Sequence, residues 1–273
     1  MGPGRVARLA EIMSATAWAL CVAMVVVAGT YVAHAAEAAK GTPAGGDKKK
    51  AVLFILTNAA TMGSTGKPTG AYLSEITHPY YEFKRAGLEI VFASPKGGVV
   101  PLTGIEDARD AESLQFLKDA QLMEALKTTR PLADVKAADY AAIFFPGGHG
   151  TMFDLPDSQV VADFTGKFYD AGGVVSAVCH GPAGLVNVKL ANGKYLVEGK
   201  HVSCFTDSEE RAVKLDKAMP FLLESKLEER GAIIAKADNF KMHVVVSERL
   251  VTGQNPASAK DVAKEVLLLL KKK

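Results

Sequence analysis

The chain has 273 residues, 48% hydrophobic and 23% charged, with 32 basic against 30 acidic side chains and a formal net charge of +2. That length holds one large domain or two small ones around a sizeable core. The near-neutral balance gives no case for nucleic acid as a partner, and the runs Lys48-Lys49-Lys50 and Lys271-Lys272-Lys273 read as solvated ends.

The first residues obey different rules. Arg5 and Arg8 precede Ile12 to Ala33, an almost continuous apolar run without charge, and Ala33-His34-Ala35 has the small-x-small form of a cleavage site. Residues 1–35 therefore read as an export signal, with the folded part periplasmic or extracellular. The alternative is an uncleaved membrane anchor over residues 12–33. Residues 36–50, rich in Gly, Ala and Lys, read as a flexible linker, and residues 51–273 as one α/β domain. Cleavage removes Cys21 and leaves Cys179 and Cys204, so a disulfide between these two stays open for an exported protein.

Strands and helices then alternate. Ala51 to Thr57 is an unbroken apolar run and reads as a buried strand. Gly70 to Arg85 reads as a helix with Leu73, Ile76, Tyr80 and Phe83 on one face, bent or divided by Pro79 near His78. Leu88 to Ser94 is a strand, Asp110 to Lys127 a helix, and Tyr140 to Phe145 a strand ending at Pro146-Gly147-Gly148. Ser158 to Asp170 is a helix, Gly173 to Val178 a strand, and His201 to Phe205 another strand. Met219 to Arg230 is a helix, and Ile233-Ile234, Val244 to Val246 and Leu250 to Thr252 are short strands. Asn255-Pro256 caps a closing helix to Leu270. Continuous apolar strands between helices predict a doubly wound, mainly parallel sheet sandwiched by helices, with its site at the carboxyl ends of the strands.

Chemistry concentrates at three of those ends. In Val175-Ser176-Ala177-Val178-Cys179-His180-Gly181-Pro182 a buried strand stops abruptly at a thiol, the form of a nucleophile elbow with cysteine in place of serine. A helix start just beyond it favours thiolate. Pro146-Gly147-Gly148-His149-Gly150 supplies a turn that a substrate can approach closely, and the amides of Gly147, Gly148 and His180 are candidate oxyanion donors. His180 needs an acid to orient it, and Glu209 or Glu210 supplies one. Glu75 is a candidate proton carrier if burial raises its pKa. Gly63 to Thr69 lacks phosphate-loop spacing. His78, His149, His201 and His243 show no paired metal-ligand spacing and read as turn or surface histidines.

Five blocks in this order resemble one family. They are Gly66-Lys67-Pro68-Thr69-Gly70 with Glu75 five further on; Pro146 to Asp154; Ala177-Val178-Cys179-His180-Gly181-Pro182; Phe205-Thr206-Asp207-Ser208-Glu209-Glu210; and Thr252-Gly253-Gln254-Asn255-Pro256-Ala257-Ser258. Together they resemble the ThiJ/PfpI superfamily, with its flavodoxin-like, class I glutamine amidotransferase-like fold, nearest the branch of glutathione-independent glyoxalases (glyoxalase III) and stress chaperones. The resemblance implies a triad of Cys179, His180 and Glu210, with Glu75 contacting the thiol, and an oxyanion and substrate-binding turn at Gly147, Gly148 and His149. It implies conversion of methylglyoxal and related 2-oxoaldehydes to hydroxy acids, with no cofactor or metal, and a homodimer. A cysteine-dependent amidase or peptidase and a non-catalytic holdase are the alternatives. Members of this branch are mostly cytoplasmic, while the first residues of this chain point to export.

Overall fold

The computed structural model describes residues 51–272. β1 (Ala51–Ile55) is buried at every position. It is followed by α1 (Leu73–Arg85), β2 (Ile90–Ser94), α2 (Ala111–Lys118), α3 (Ala120–Lys127), β3 (Arg130–Pro131), β4 (Tyr140–Phe145), α4 (Gln159–Asp170) and β5 (Val174–Val178). Then come α5 (Asp207–Ala212), α6 (Leu223–Glu229), β6 (Val244–Ser247), β7 (Leu250–Gly253) and α7 (Ala259–Lys271). Seven strands form one sheet in the order β6-β7-β5-β4-β1-β2-β3. All its pairings are parallel except β6 with β7.

Alternate residues of the central strands feed two separate cores, as the period of a pleated strand requires. Leu53, Ile55, Ile143, Val175 and Ala177 pack on one face, and Val52, Phe54, Phe144, Val174 and Val178 on the other. The second core contains an aromatic cluster. Phe54 meets Phe83 and Phe92 edge-on at 6.0 and 5.8 Å and lies 4.9 Å from Phe144, an arrangement that favours the ring quadrupoles. Truncating one such ring to alanine costs about 3–5 kcal/mol.

The expected fold class holds, and several expected elements differ. α1 runs undivided through Pro79, which is a buried residue. The single helix expected over Asp110 to Lys127 is two, because Asp119 leaves helical geometry and its carboxylate accepts the amides of Gln121 and Leu122. It is the N-cap of the second helix. The strand expected at His201 to Phe205 shrinks to His201–Val202 and pairs with Ile233–Ile234 in a small sheet of its own. The helix expected from Met219 begins at Leu223. Asn255 precedes a short 3-10 turn without capping it, because its side chain is engaged elsewhere.

Candidate active site

β4, β5 and β7 end side by side, and the site forms where they stop. Cys179 follows β5 with a φ of +58°, a left-handed conformation uncommon for a residue with a side chain. Backbone bonds hold it there: its N–H donates to the Gly253 carbonyl at 2.9 Å, and its own carbonyl accepts from Phe205 N–H at 2.8 Å. Gly181 must be glycine, because a Cβ there would lie 2.1 Å from the Phe145 carbonyl oxygen. The abrupt stop after β5 is thus a consequence of packing against the end of β4.

His180 Nδ1 lies 3.3 Å from Cys179 Sγ, and its Nε2 lies 2.7 Å from Glu210 Oε2. Of the two acids left open by the sequence, Glu210 is the one on the imidazole. Its neighbour Glu209 points away and ties chain segments together. One of its oxygens accepts Thr206 N–H, closing a capping box at the start of α5. The other accepts the Phe240 amide and the side-chain amides of Gln254 and Asn255. Adjacent residues on a helix face different directions, and here the two directions carry different tasks.

Burial sets the protonation of the site. Glu75, in the first turn of α1, is fully buried. Desolvation pushes its carboxyl up to about 8, against the pull of hydrogen bonds from Cys179 and the Gly147 amide. Burial likewise raises the Cys179 thiol well above its ordinary value, with the Glu75 charge adding to it and the amides of His180 and Gly148 pulling the other way. The resting pair is therefore a neutral acid and a neutral thiol. The thiolate expected from a helix start is not favoured: the residues after Cys179 and His180 form only a five-residue 3-10 turn, Gly181–Leu185, and desolvation outweighs it. Burial and the nearby His149 lower His180 to about 4, so its ring is neutral near pH 7. Burial opposes ionisation of Glu210, but hydrogen bonds from His149 and His180 overcome it and hold the carboxyl at about 2.

The turn after β4 is assembled differently from expectation. Gly147 N–H donates to Glu75 Oε2 at 2.8 Å. That amide is committed to the carboxyl and is not an oxyanion donor. A Cβ on Gly147 would come within 2.6 Å of Glu75 Oε2, and one on Gly148, at φ +100°, within 2.4 Å of the Gly70 carbonyl oxygen. The amides of Gly148 and His180 do approach the sulfur. His149 opens the turn after β4, as expected, and is also engaged in the site: its Nε2 lies 2.9 Å from Glu210 Oε1, and its ring centroid is 4.1 Å from that of His180. Phe205 covers His180, with 4.5 Å between ring centroids.

Sequence reasoning missed Thr151, whose hydroxyl lies 2.9 Å from the carbonyl oxygens of both Gly148 and His180 and stitches the two turns together. It also missed Asp154, which accepts from the Thr57 hydroxyl and the Asn58 amide at the end of β1. Both sit in the block that starts at Pro146, and only the fold shows what they touch. Cys179 and Cys204 are free thiols, so the open disulfide is not formed. His149, His180 and Glu210 place ligand atoms within 4.8 Å of one another, a set able to hold a metal ion, as do the more exposed His78, Asp110 and Glu112. No helical spacing reveals the first set, because its members come from the turns after β4 and β5 and from α5. A cavity of about 780 Å³ opens at the amino ends of the strands beside Tyr140, Phe168 and Gly173 and contains none of these residues.

The DJ-1/PfpI family profile matches residues 68–269, the span that carries every residue of the site. The chain belongs to the DJ-1/PfpI family. This DJ-1/PfpI protein is 33% identical over 231 residues to glyoxalase 3 of Candida albicans, covering 80% of this chain and 97% of that one. It is 32% identical over 231 residues to the glutathione-independent glyoxalase HSP31 of Saccharomyces cerevisiae, covering 79% and 95%. The crystal structure of glyoxalase III from C. albicans superposes with a TM-score of 0.73 at 31% identity, covering 82% of this chain and 98% of that one.

These relatives correct the expected location. Glyoxalase III and HSP31 proteins are cytosolic and not exported, which overturns the export expected from the first residues. The leader, anchor and linker expected over residues 1–35, 12–33 and 36–50 lie outside the described residues. Among the described residues, no helix is long and apolar enough to cross a membrane.

Proposed function

We propose that this DJ-1/PfpI protein is a glutathione-independent glyoxalase that converts methylglyoxal and related 2-oxoaldehydes to hydroxy acids on Cys179. The observation that carries the reading is one buried sulfur with His180 Nδ1 at 3.3 Å, beside a fully buried Glu75 carboxyl whose charge is coupled to the thiol. A 2-oxoaldehyde needs a thiol to trap its aldehyde and a base to move one proton between neighbouring carbons. Glutathione supplies that thiol in other chemistry, and Cys179 supplies it here.

The ionised Glu210 only accepts hydrogen bonds. It therefore fixes His180 with its proton on Nε2 and leaves Nδ1 free to take the thiol proton. The sulfur adds to the aldehyde carbon, and the former carbonyl oxygen takes the Glu75 proton to give a hemithioacetal, leaving Glu75 as the carboxylate. The amides of Gly148 and His180 stabilise that oxygen while it is charged. The Glu75 carboxylate takes the hydrogen on the sulfur-bearing carbon as a proton and returns it to the neighbouring carbon, while the hydroxyl proton of the hemithioacetal passes to the neighbouring oxygen. A carboxyl held near 8 suits both directions of that transfer near neutral pH. The product is a thioester, an isomer of the hemithioacetal. Water cleaves it to the hydroxy acid and restores the thiol.

The test is to incubate the purified protein with methylglyoxal, without glutathione, and follow lactate. Wild type forms lactate, while Cys179→Ala does not. Absence of lactate from wild type, together with suppression of aggregation that survives Cys179→Ala, overturns the reading in favour of a holdase.

A further inference from the structure

Glu210 serves two imidazoles. Its Oε2 meets His180 Nε2 at 2.7 Å and its Oε1 meets His149 Nε2 at 2.9 Å. An ionised carboxylate accepts from both, so each ring in its neutral form carries its proton on Nε2 and presents Nδ1 as an acceptor. For His180 that nitrogen faces the sulfur. His149 Nδ1 makes no protein hydrogen bond among the described residues. The rings differ in their access to water: the His180 side chain is 1% exposed and that of His149 24%.

The geometry points to His149 as the general base that activates water in the hydrolytic half of the reaction, a role that rests on the glyoxalase reading. The reaction has two halves with opposite needs. The thiol step moves a proton between buried groups and is served by His180. The closing step consumes a water molecule, and its base must meet solvent. His180 is shut under Phe205, and Glu75 is fully buried and bonded to Gly147. His149 alone of the site's proton carriers reaches solvent, and its ring sits 4.1 Å from the imidazole that flanks the sulfur. One anion orients both bases.

In that step a water proton passes to His149 Nδ1 as the water oxygen bonds to the thioester carbonyl carbon. The tetrahedral adduct collapses, the carbon–sulfur bond breaks, and its electron pair leaves on Cys179 as thiolate. The product departs as the hydroxy acid. The thiolate then takes up one proton, while His149 and the newly formed carboxylic acid each release theirs. Two like bases beside one carboxylate are charged in turn, since a proton on His149 opposes one on His180.

The test compares wild type with His149→Gln and His149→Ala on methylglyoxal, following lactate, the intact mass of the quenched protein and the pH profile. Glutamine keeps an N–H donor for Glu210 Oε1 and lacks a basic nitrogen. Both variants lose about 10²-fold or more in kcat, as loss of a general base does. Both accumulate a covalent adduct on Cys179 of the mass of one methylglyoxal, and hydroxylamine releases it as the hydroxamate of a thioester. Added imidazole restores turnover to His149→Ala in proportion to its basic form. Three results overturn the inference: variants within about twofold of wild type, a loss of that size without an adduct, or full activity in His149→Gln with loss only in His149→Ala, which leaves His149 a mere support for Glu210. Absence of lactate from wild type overturns the glyoxalase reading itself and this role with it.

Discussion

Ionising Glu75 makes the Cys179 thiolate harder to form: the carboxylate charge raises the thiol pKa, while the thiol hydrogen bond favours the carboxylate. The two groups cannot both be charged in so dry a space. Glu75→Gln therefore separates two properties that usually fall together. It abolishes lactate formation, because no group moves the carbon-bound proton, yet Cys179 reacts faster with iodoacetamide near neutral pH. Slower alkylation in the variant contradicts this coupling.

Glu75 also makes stability depend on pH. Its folded value of about 8 lies above its ordinary 4.5, so the folded state binds the proton more tightly than the unfolded one. That contribution is whole below pH 4.5 and is lost as pH rises to about 8. Glu75→Gln removes the dependence. By pH 8 the variant gains on the order of 4 kcal/mol relative to wild type when both are compared with pH 4. Denaturant titrations at the two pH values measure the difference.

Glu210 has the opposite sign. Its value of about 2 lies below its ordinary 4.5, so its stabilising effect is present above pH 4.5 and fades as pH falls towards 2. Glu210→Gln holds the two rings with an amide that both donates and accepts, and the tautomer of His180 is no longer fixed. Turnover falls by roughly 10²-fold or more, and the loss of stability between pH 5 and 3 becomes shallower than in wild type. Acid unfolding of the two proteins side by side checks the slope.

Backbone strain at Cys179 gives a prediction free of electrostatics. With φ at +58°, any side chain at this position costs about 1 kcal/mol relative to glycine. Cys179→Gly and Cys179→Ala are both inactive, but Cys179→Gly is the more stable of the two in thermal unfolding, despite its greater freedom in the unfolded chain. The reverse order argues against a strained elbow.

Much of this fold is legible in the chain. The apolar runs locate the central strands, and Tyr140–Phe145 matches its expected bounds. Cys179 stands out because a buried run stops there against His-Gly-Pro. Local pattern does not supply partners brought from a distance. Asn255 has the look of a helix cap, but its amide is spent on Glu209, 46 residues earlier. Gly147 has the look of an oxyanion donor, but its amide faces Glu75, 72 residues earlier. The choice between Glu209 and Glu210 depends on the rotation of a six-residue helix. His149 resembles a surface group in the sequence because its partner, Glu210, lies on a helix 61 residues later. Asp119 does not stand out, since an acid inside a helical pattern is commonplace, and only its extended backbone reveals a cap.

Glu209 never touches the sulfur, yet it fastens the strand-end loop of Gln254 and Asn255 and the Phe240 segment to the helix that carries Glu210. Through that knot, distant alterations in the Phe240 segment are transmitted to the imidazoles as a change of aim. In this fold the scaffold and the reagent are neighbours in sequence, and damage to the first reads out as failure of the second.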